Sequence, residues 1–315
     1  MSAADPTGAQ LLVVIDPAAR RVDGESTRIA RDVLCAGAVA KICLPNGPEE
    51  VARAVARRGR RRTVVIGDDR ALLRVVGLLH RRRELAVAPL AWVPVGALPA
   101  VSVARVLGVP LSAVAAARAV LDGVERRLGL LADDSDGVVL GGLWVPAGAT
   151  HRAAPHVPAA GARRGRFPAG AEAGPAGGGG DGAGGASGAG GAGGAGHQSW
   201  WSPAARTART ALTLLSGPGG RHTLPSCTRL RVEADGVLLA DLDRPVGRVA
   251  VSAVEGLAEV VVQQRSGDEP VRARARAVTV SGPDFRYRAD NRIRGPVRTR
   301  TWTAHPEAWR LTLPR

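Results

Sequence analysis

The stretch VVIGDDRALL, residues 64–73, decides the fold. An apolar run stops at Gly67, two acids and an arginine follow, and apolar residues resume at Leu72, Val75, Val76 and Leu79, which share one face of a helix. A strand that feeds a helix through a Gly-containing turn is the repeating unit of a parallel α/β sheet. The same kind of turn is where such sheets cradle phosphate. Two readings of the turn stand side by side: a phosphate loop that has drifted, or a plain strand–turn–helix connection with Asp68 or Asp69 as the helix N-cap.

The segments on either side repeat the unit. LLVVID (11–16) reads as a buried parallel strand, and a helix follows over 26–35 with Ile29 and Val33 four apart. AVAKICLP (38–45) is a second strand. Pro48 then opens a helix at its first position, with Glu49 and Glu50 at the positive end of the dipole and Val51 and Val55 facing inward. TVVIG (63–67) and LAWVPVG (90–96) are the third and fourth strands. A short helix runs to Leu107, and another spans 112–124 with Ser112 as its N-cap. Residues 85–104 carry no charge, but Pro89, Pro94, Gly96 and Pro99 divide them into a strand, a turn and a helix start rather than a membrane span. DDSDG (133–137) reads as a polar turn between two strands, since it lacks the rest of a calcium loop.

Beyond residue 200 the period becomes two. RLRVEADGVLLAD carries an Asp235-Gly236 hairpin signal, and GRVAVSA, LAEVVVQQ, VRARARAVTV, FRYRAD, TRTWTA and AWRLTLP read as short strands separated by turn residues. Between the two halves, GPAGGGGDGAGGASGAGGAGGAG (174–196) has no core-forming residue and reads as a flexible linker or insertion. The expected organisation is a loose N-terminus (1–10), a Rossmann-like parallel α/β domain (11–150), a Gly/Ala-rich segment (151–199) and an antiparallel, sandwich-like β domain (200–315).

Composition bounds the function. The net charge is +15, Lys41 is the sole lysine, and aromatics make up 3 % of the chain. That balance fits anionic partners, or else compositional drift on solvated faces. Three cysteines in no C-x-x-C pair, and no signal-like segment in the first residues, point to reduced thiols in the cytoplasm. No His/Cys spacing of a zinc site and no G-x-S-x-G elbow occur.

The order of elements and the motif positions together resemble the diacylglycerol kinase catalytic family of soluble lipid kinases. The first strand ends in Asp16-Pro17, where that family has Asn-Pro. Ile66-Gly67-Asp68-Asp69-Arg70 stands at its GGDGT loop, and Pro94 and Gly96 begin its P-x-GTGND loop, which here continues as ALPAVSV. Ala104, Arg105, Leu107, Gly108 and Pro110 match A-R-x-L-G-x-P. Glu255-Gly256-Leu257 with Glu259, Asp290-Asn291-Arg292 at the DGE position and PEAWRLTLP at the end complete the likeness. Leu73 stands where the family has a Glu.

The resemblance implies transfer of the γ-phosphoryl of ATP to a diacylglycerol-type lipid hydroxyl, with ATP and Mg²⁺ as cofactors. On it, Asp16, Gly67, Asp69, Arg70 and Gly96 would line the nucleotide, Asp68 would hold Mg²⁺, and Asp290 would be the base. Its alternative is a catalytically inactive member of the fold that binds a lipid, a nucleotide or a partner. Loss of Gly at 66 and 69, and of donors at 97–99, favours that alternative.

One feature is independent of the resemblance. Arg272, Arg274 and Arg276 alternate, as do Arg286 with Arg288 and Arg298 with Arg300. If these strands are neighbours, they form a basic face for anionic lipid headgroups at the inner membrane surface. Nucleic acid is the other anionic partner, although no recognition motif accompanies the charge.

Overall fold

The computed structural model describes residues 10–147, 228–265 and 268–315. The expected Gly/Ala-rich segment, most of the expected N-terminus and Cys227 lie outside the described residues.

Four strands form the parallel part: β1 (Gln10–Ile15), β2 (Val39–Cys43), β3 (Arg62–Gly67) and β4 (Pro89–Pro94), in the order β2-β1-β3-β4. Alternation of side chains makes both faces apolar. Leu12, Val14, Val65 and Trp92 pack with residues of α3 (Pro48–Ala56), α4 (Asp69–Arg81) and α5 (Ser102–Leu107). Leu11, Val13, Ile15, Val64, Ile66 and Val93 pack with α2 (Gly24–Gly37) and α6 (Ala113–Asp122). β1, β3 and β4 are therefore near-continuous hydrophobic runs, as strands covered on both faces demand, whereas β2 at the edge carries Lys41 and is only partly buried.

Local chemistry starts and stops these helices. The Asp16 carboxylate caps α1 (Pro17–Val22), an element absent from the sequence reading, with Pro17 at the first helical position. Asp68 caps α4 by accepting from Ala71 N–H at 3.0 Å. Ser112 precedes α6, but its side chain makes no capping bond, and the helix stops at Asp122 instead of 124. Residues 85–104 divide into β4, a 3₁₀ turn (Leu98–Val101) and the start of α5. Among the described residues no helix is long and apolar enough to cross a membrane.

The antiparallel part comprises β5 (Val124–Asp133), β6 (Val138–Val139), β7 (Leu143–Val145), β8 (Thr228–Arg229), β9 (Arg231–Ala234), β10 (Val237–Ala240), β11 (Pro245–Val254), β12 (Leu257–Gln264), β13 (Val271–Ala275), β14 (Ala277–Ala289) and β15 (Arg292–Leu313). The main path through the sheet runs β13-β12-β11-β7-β14-β15-β4-β3-β1-β2. β15 joins the two parts: its first half pairs with β14, and its end pairs with β5 and lies parallel to β4. Tyr287, Trp302, Phe285, Val249 and Val260 are among the residues of the antiparallel core. Asp133–Gly137 is the polar turn between β5 and β6.

The strands differ from the expected ones in length. VRARARAVTV is two strands, because the Asp235 carboxylate accepts the N–H groups of both Arg276 and Ala277 at 2.9–3.0 Å. Asp235 and Gly236, both at positive φ, form the expected hairpin turn between β9 and β10. FRYRAD belongs to the longer β14. TRTWTA and AWRLTLP are one strand, β15, whose register with β5 shifts between His305 and Trp309. Pro306 lies in that shift, where a missing N–H removes no ladder bond.

Candidate functional site

The carboxyl ends of β1, β3 and β4 meet the amino end of α4, the location where open α/β sheets bind ligands. Six of the expected site residues (Asp16, Gly67, Asp68, Asp69, Arg70 and Gly96) lie on these segments. Gly67 is required by space rather than by backbone conformation. A Cβ there would stand 2.8 Å from Ala71 Cβ and 2.9 Å from Asp16 Cβ. Its carbonyl accepts from Trp92 Nε1 at 2.9 Å and from Val95 N–H at 3.0 Å, which ties β3 to the end of β4. Gly96 does have positive φ, and its Cβ position faces Asp68 Cβ at 3.6 Å.

Ile66 is the buried penultimate residue of β3 and Asp69 the first residue of α4; neither has positive φ. The turn at 66–70 connects strand to helix, with Asp68 as the N-cap.

The carboxylates are largely occupied. Asp16 is buried, caps Ala18 N–H and accepts from Arg74 Nη1 at 3.0 Å. Asp69 has no exposed surface. It accepts from Ser102 Oγ at 2.9 Å and from Val103 N–H at 3.2 Å, tying α4 to α5. Burial pushes its pKa up to about 7, against the pull of these bonds, and the charge of nearby Asp290 adds to the rise. Asp290 occupies the β14–β15 turn at φ 50°. Its carboxylate accepts the N–H groups of Leu140, Gly141 and Gly142 at 3.1, 2.6 and 3.3 Å. Burial raises its pKa despite them.

The same turn brings basic groups over α4. Asn291 Nδ2 donates to Pro99 O at 2.8 Å, and Arg292 Nη2 donates to Arg70 O at 3.4 Å. Burial lowers the Arg292 pKa, and the charges of Arg294, Arg74 and Arg70 lower it further, while Asp68 opposes them. Four guanidiniums therefore converge where the resemblance implies a metal-bound triphosphate. Sequence reading missed Arg74, Ser102 and the 140–142 loop. The spacing of Arg70 and Arg74, four apart on one helix, was the available signal for the first.

Magnesium fits this set poorly. It needs near-octahedral oxygen and usually one or two carboxylates beside phosphate. Asp16, Asp69 and Asp290 are bonded to the protein, which leaves one oxygen of the N-cap Asp68 for a metal ion. Leu73, at the family's Glu position, is buried in the core.

The seven arginines of the expected basic face fall on several strands. Arg272 and Arg274 lie on β13, separated from β14 by β12, β11 and β7 along the main path, and Arg276 follows at the break before β14. Arg274 pairs with Glu255, Arg298 with Asp284 and Arg300 with Asp134. Arg286 and Arg288 alternate with buried Phe285 and Tyr287 on β14.

No family model and no curated protein matches this sequence. Solved structures do match. Three assigned as diacylglycerol kinases, all from Bacillus anthracis str. Sterne, superpose with TM-scores of 0.62, 0.61 and 0.61. Each is 10 % identical in sequence, and the alignments cover 98 % of this chain and 98–99 % of theirs. The chain thus has the fold of these lipid-kinase-like proteins.

Proposed function

We propose that this chain uses a lipid-kinase fold to bind a phosphorylated ligand, a nucleotide or a phospholipid headgroup, as a regulatory protein without phosphoryl transfer. The observation that carries the reading is the division of labour in the cleft. Its carboxylates hold the protein together, while Arg70, Arg74, Arg292 and Arg294 supply the charge. Guanidinium forks match phosphate oxygens geometrically and stay charged. A general base must reach a substrate hydroxyl, and the Asp290 oxygens are engaged by three backbone N–H groups.

The second reading is phosphoryl transfer from ATP to a diacylglycerol-type hydroxyl at a membrane surface. Its support is the designation of the superposable structures. One experiment separates the two: thermal unfolding with nucleotides, beside an Arg70→Ala variant, and a transfer assay with MgATP and diacylglycerol in vesicles. A ligand that binds the native state raises stability by mass action. The expected result is a saturable shift that is lost in the variant, with no transfer above background. Product formation at about 1 s⁻¹ or faster, the range of working kinases, would refute the non-catalytic reading.

A further inference from the structure

We infer that the cleft binds its phosphate ligand as a bare anion, with Arg292 and its neighbouring guanidiniums in the place of a divalent cation. This rests on the phosphate-binding reading above and specifies the ionic form that the site accepts.

Three independent placements support it. Arg70 and Arg74 stand four apart in the first turns of α4, a 13-residue helix, and so share a face at its positive end. Arg292 and Arg294 alternate on β15 and so share a face of that strand. The β14–β15 turn then joins the two pairs, because Asn291 bonds to Pro99 and Arg292 to Arg70. Arg74 is held by buried Asp16, and Arg294 Nε is buried with no partner among the described residues.

The acids offer a metal few free oxygens. Asp68 gives one oxygen to the Ala71 N–H, and Asp16 is bonded on both oxygens. A Mg²⁺ ion on the remaining Asp68 oxygen would face the guanidiniums that crowd Arg292. A Mg²⁺-complexed phosphate presents less negative charge to those same groups. The cation should therefore compete with the arginines for the ligand instead of completing the site.

The test is calorimetric titration of the full chain with ATP, with pyrophosphate, and with phosphatidylcholine vesicles containing or lacking phosphatidic acid. Each titration is run in EDTA and in excess Mg²⁺, on wild type, Arg292→Gln and Arg70→Gln, and the melting temperature of each unliganded protein is measured. The expected result is binding in EDTA at least as tight as in Mg²⁺, weakened about tenfold in each variant, as for loss of one charge-assisted contact. Saturation by ATP or pyrophosphate would identify a soluble phosphate ligand, and saturation only by phosphatidic acid vesicles a headgroup. Binding that requires Mg²⁺, or binding in EDTA that neither variant weakens, overturns the inference and leaves the phosphate-binding reading standing. Failure of every probe in both conditions overturns the reading and the inference together.

Discussion

Replacing Asp69 by Asn should stabilise the protein at neutral and alkaline pH. Asp69 titrates near 7 in the fold and near 3.9 in an unfolded chain. Because the folded value is the higher one, the contribution of Asp69 to stability is fully present below about pH 4. It is lost as pH rises through 7, where the buried carboxyl must ionise. Three pKa units at about 1.4 kcal/mol each set the loss at roughly 4 kcal/mol. Asn carries no such penalty and keeps both contacts. Its Oδ1 accepts from Val103 N–H, and its Nδ2 donates to the Ser102 hydroxyl that now donates to Asp69. Urea unfolding of wild type and variant across pH 4–8.5 reads the difference. The two should coincide near pH 4 and separate by about 4 kcal/mol at pH 8, the variant being the more stable. Parallel pH curves would refute the reasoning, because they would mean that Asp69 ionises in the fold as easily as in the unfolded chain.

Gly67→Ala should lower stability by about 1–3 kcal/mol, seen as a fall in melting temperature, because the new Cβ meets Ala71 and Asp16 below 3 Å. Asp290→Ala should cost about 3 kcal/mol or more, since three backbone donors of 140–142 lose their acceptor. Native-state hydrogen exchange should show lost protection at Leu140, Gly141 and Gly142, whereas a residue acting only as a base would leave these amides protected. Trp92→Phe removes the bond to Gly67 O and should cost about 1 kcal/mol for that bond, plus the lost packing, in chemical unfolding.

Much of the architecture was legible in the chain. The parallel strands, the helices that cover them and the Asp235-Gly236 hairpin follow from periodicity and turn chemistry, which act over a few residues. The resemblance to lipid kinases also came from residues in order, and the superposable structures share the fold that it implied. Strand lengths were less legible. The break at Arg276 depends on a carboxylate 41 positions earlier, and β15 passes through Pro306 only because of a register shift against β5.

By itself the sequence determined that residues 64–81 are strand, turn and helix, with an aspartate as cap. Hydrophobic spacing and a short side chain able to bond its own helix suffice for that. Only tertiary structure decided what the turn's charges do. Asp69 lies in sequence beside Arg70, yet it faces α5 and is buried, whereas Arg292, 222 positions away, bonds to the Arg70 carbonyl. Neighbours in the chain diverge because successive helical residues point about 100° apart. Distant residues converge because the β14–β15 turn lies over the start of α4, where Asn291 bonds to Pro99 and Arg292 to Arg70. The ionic character of the cleft is therefore a property of the packing, one that no local run of residues carries.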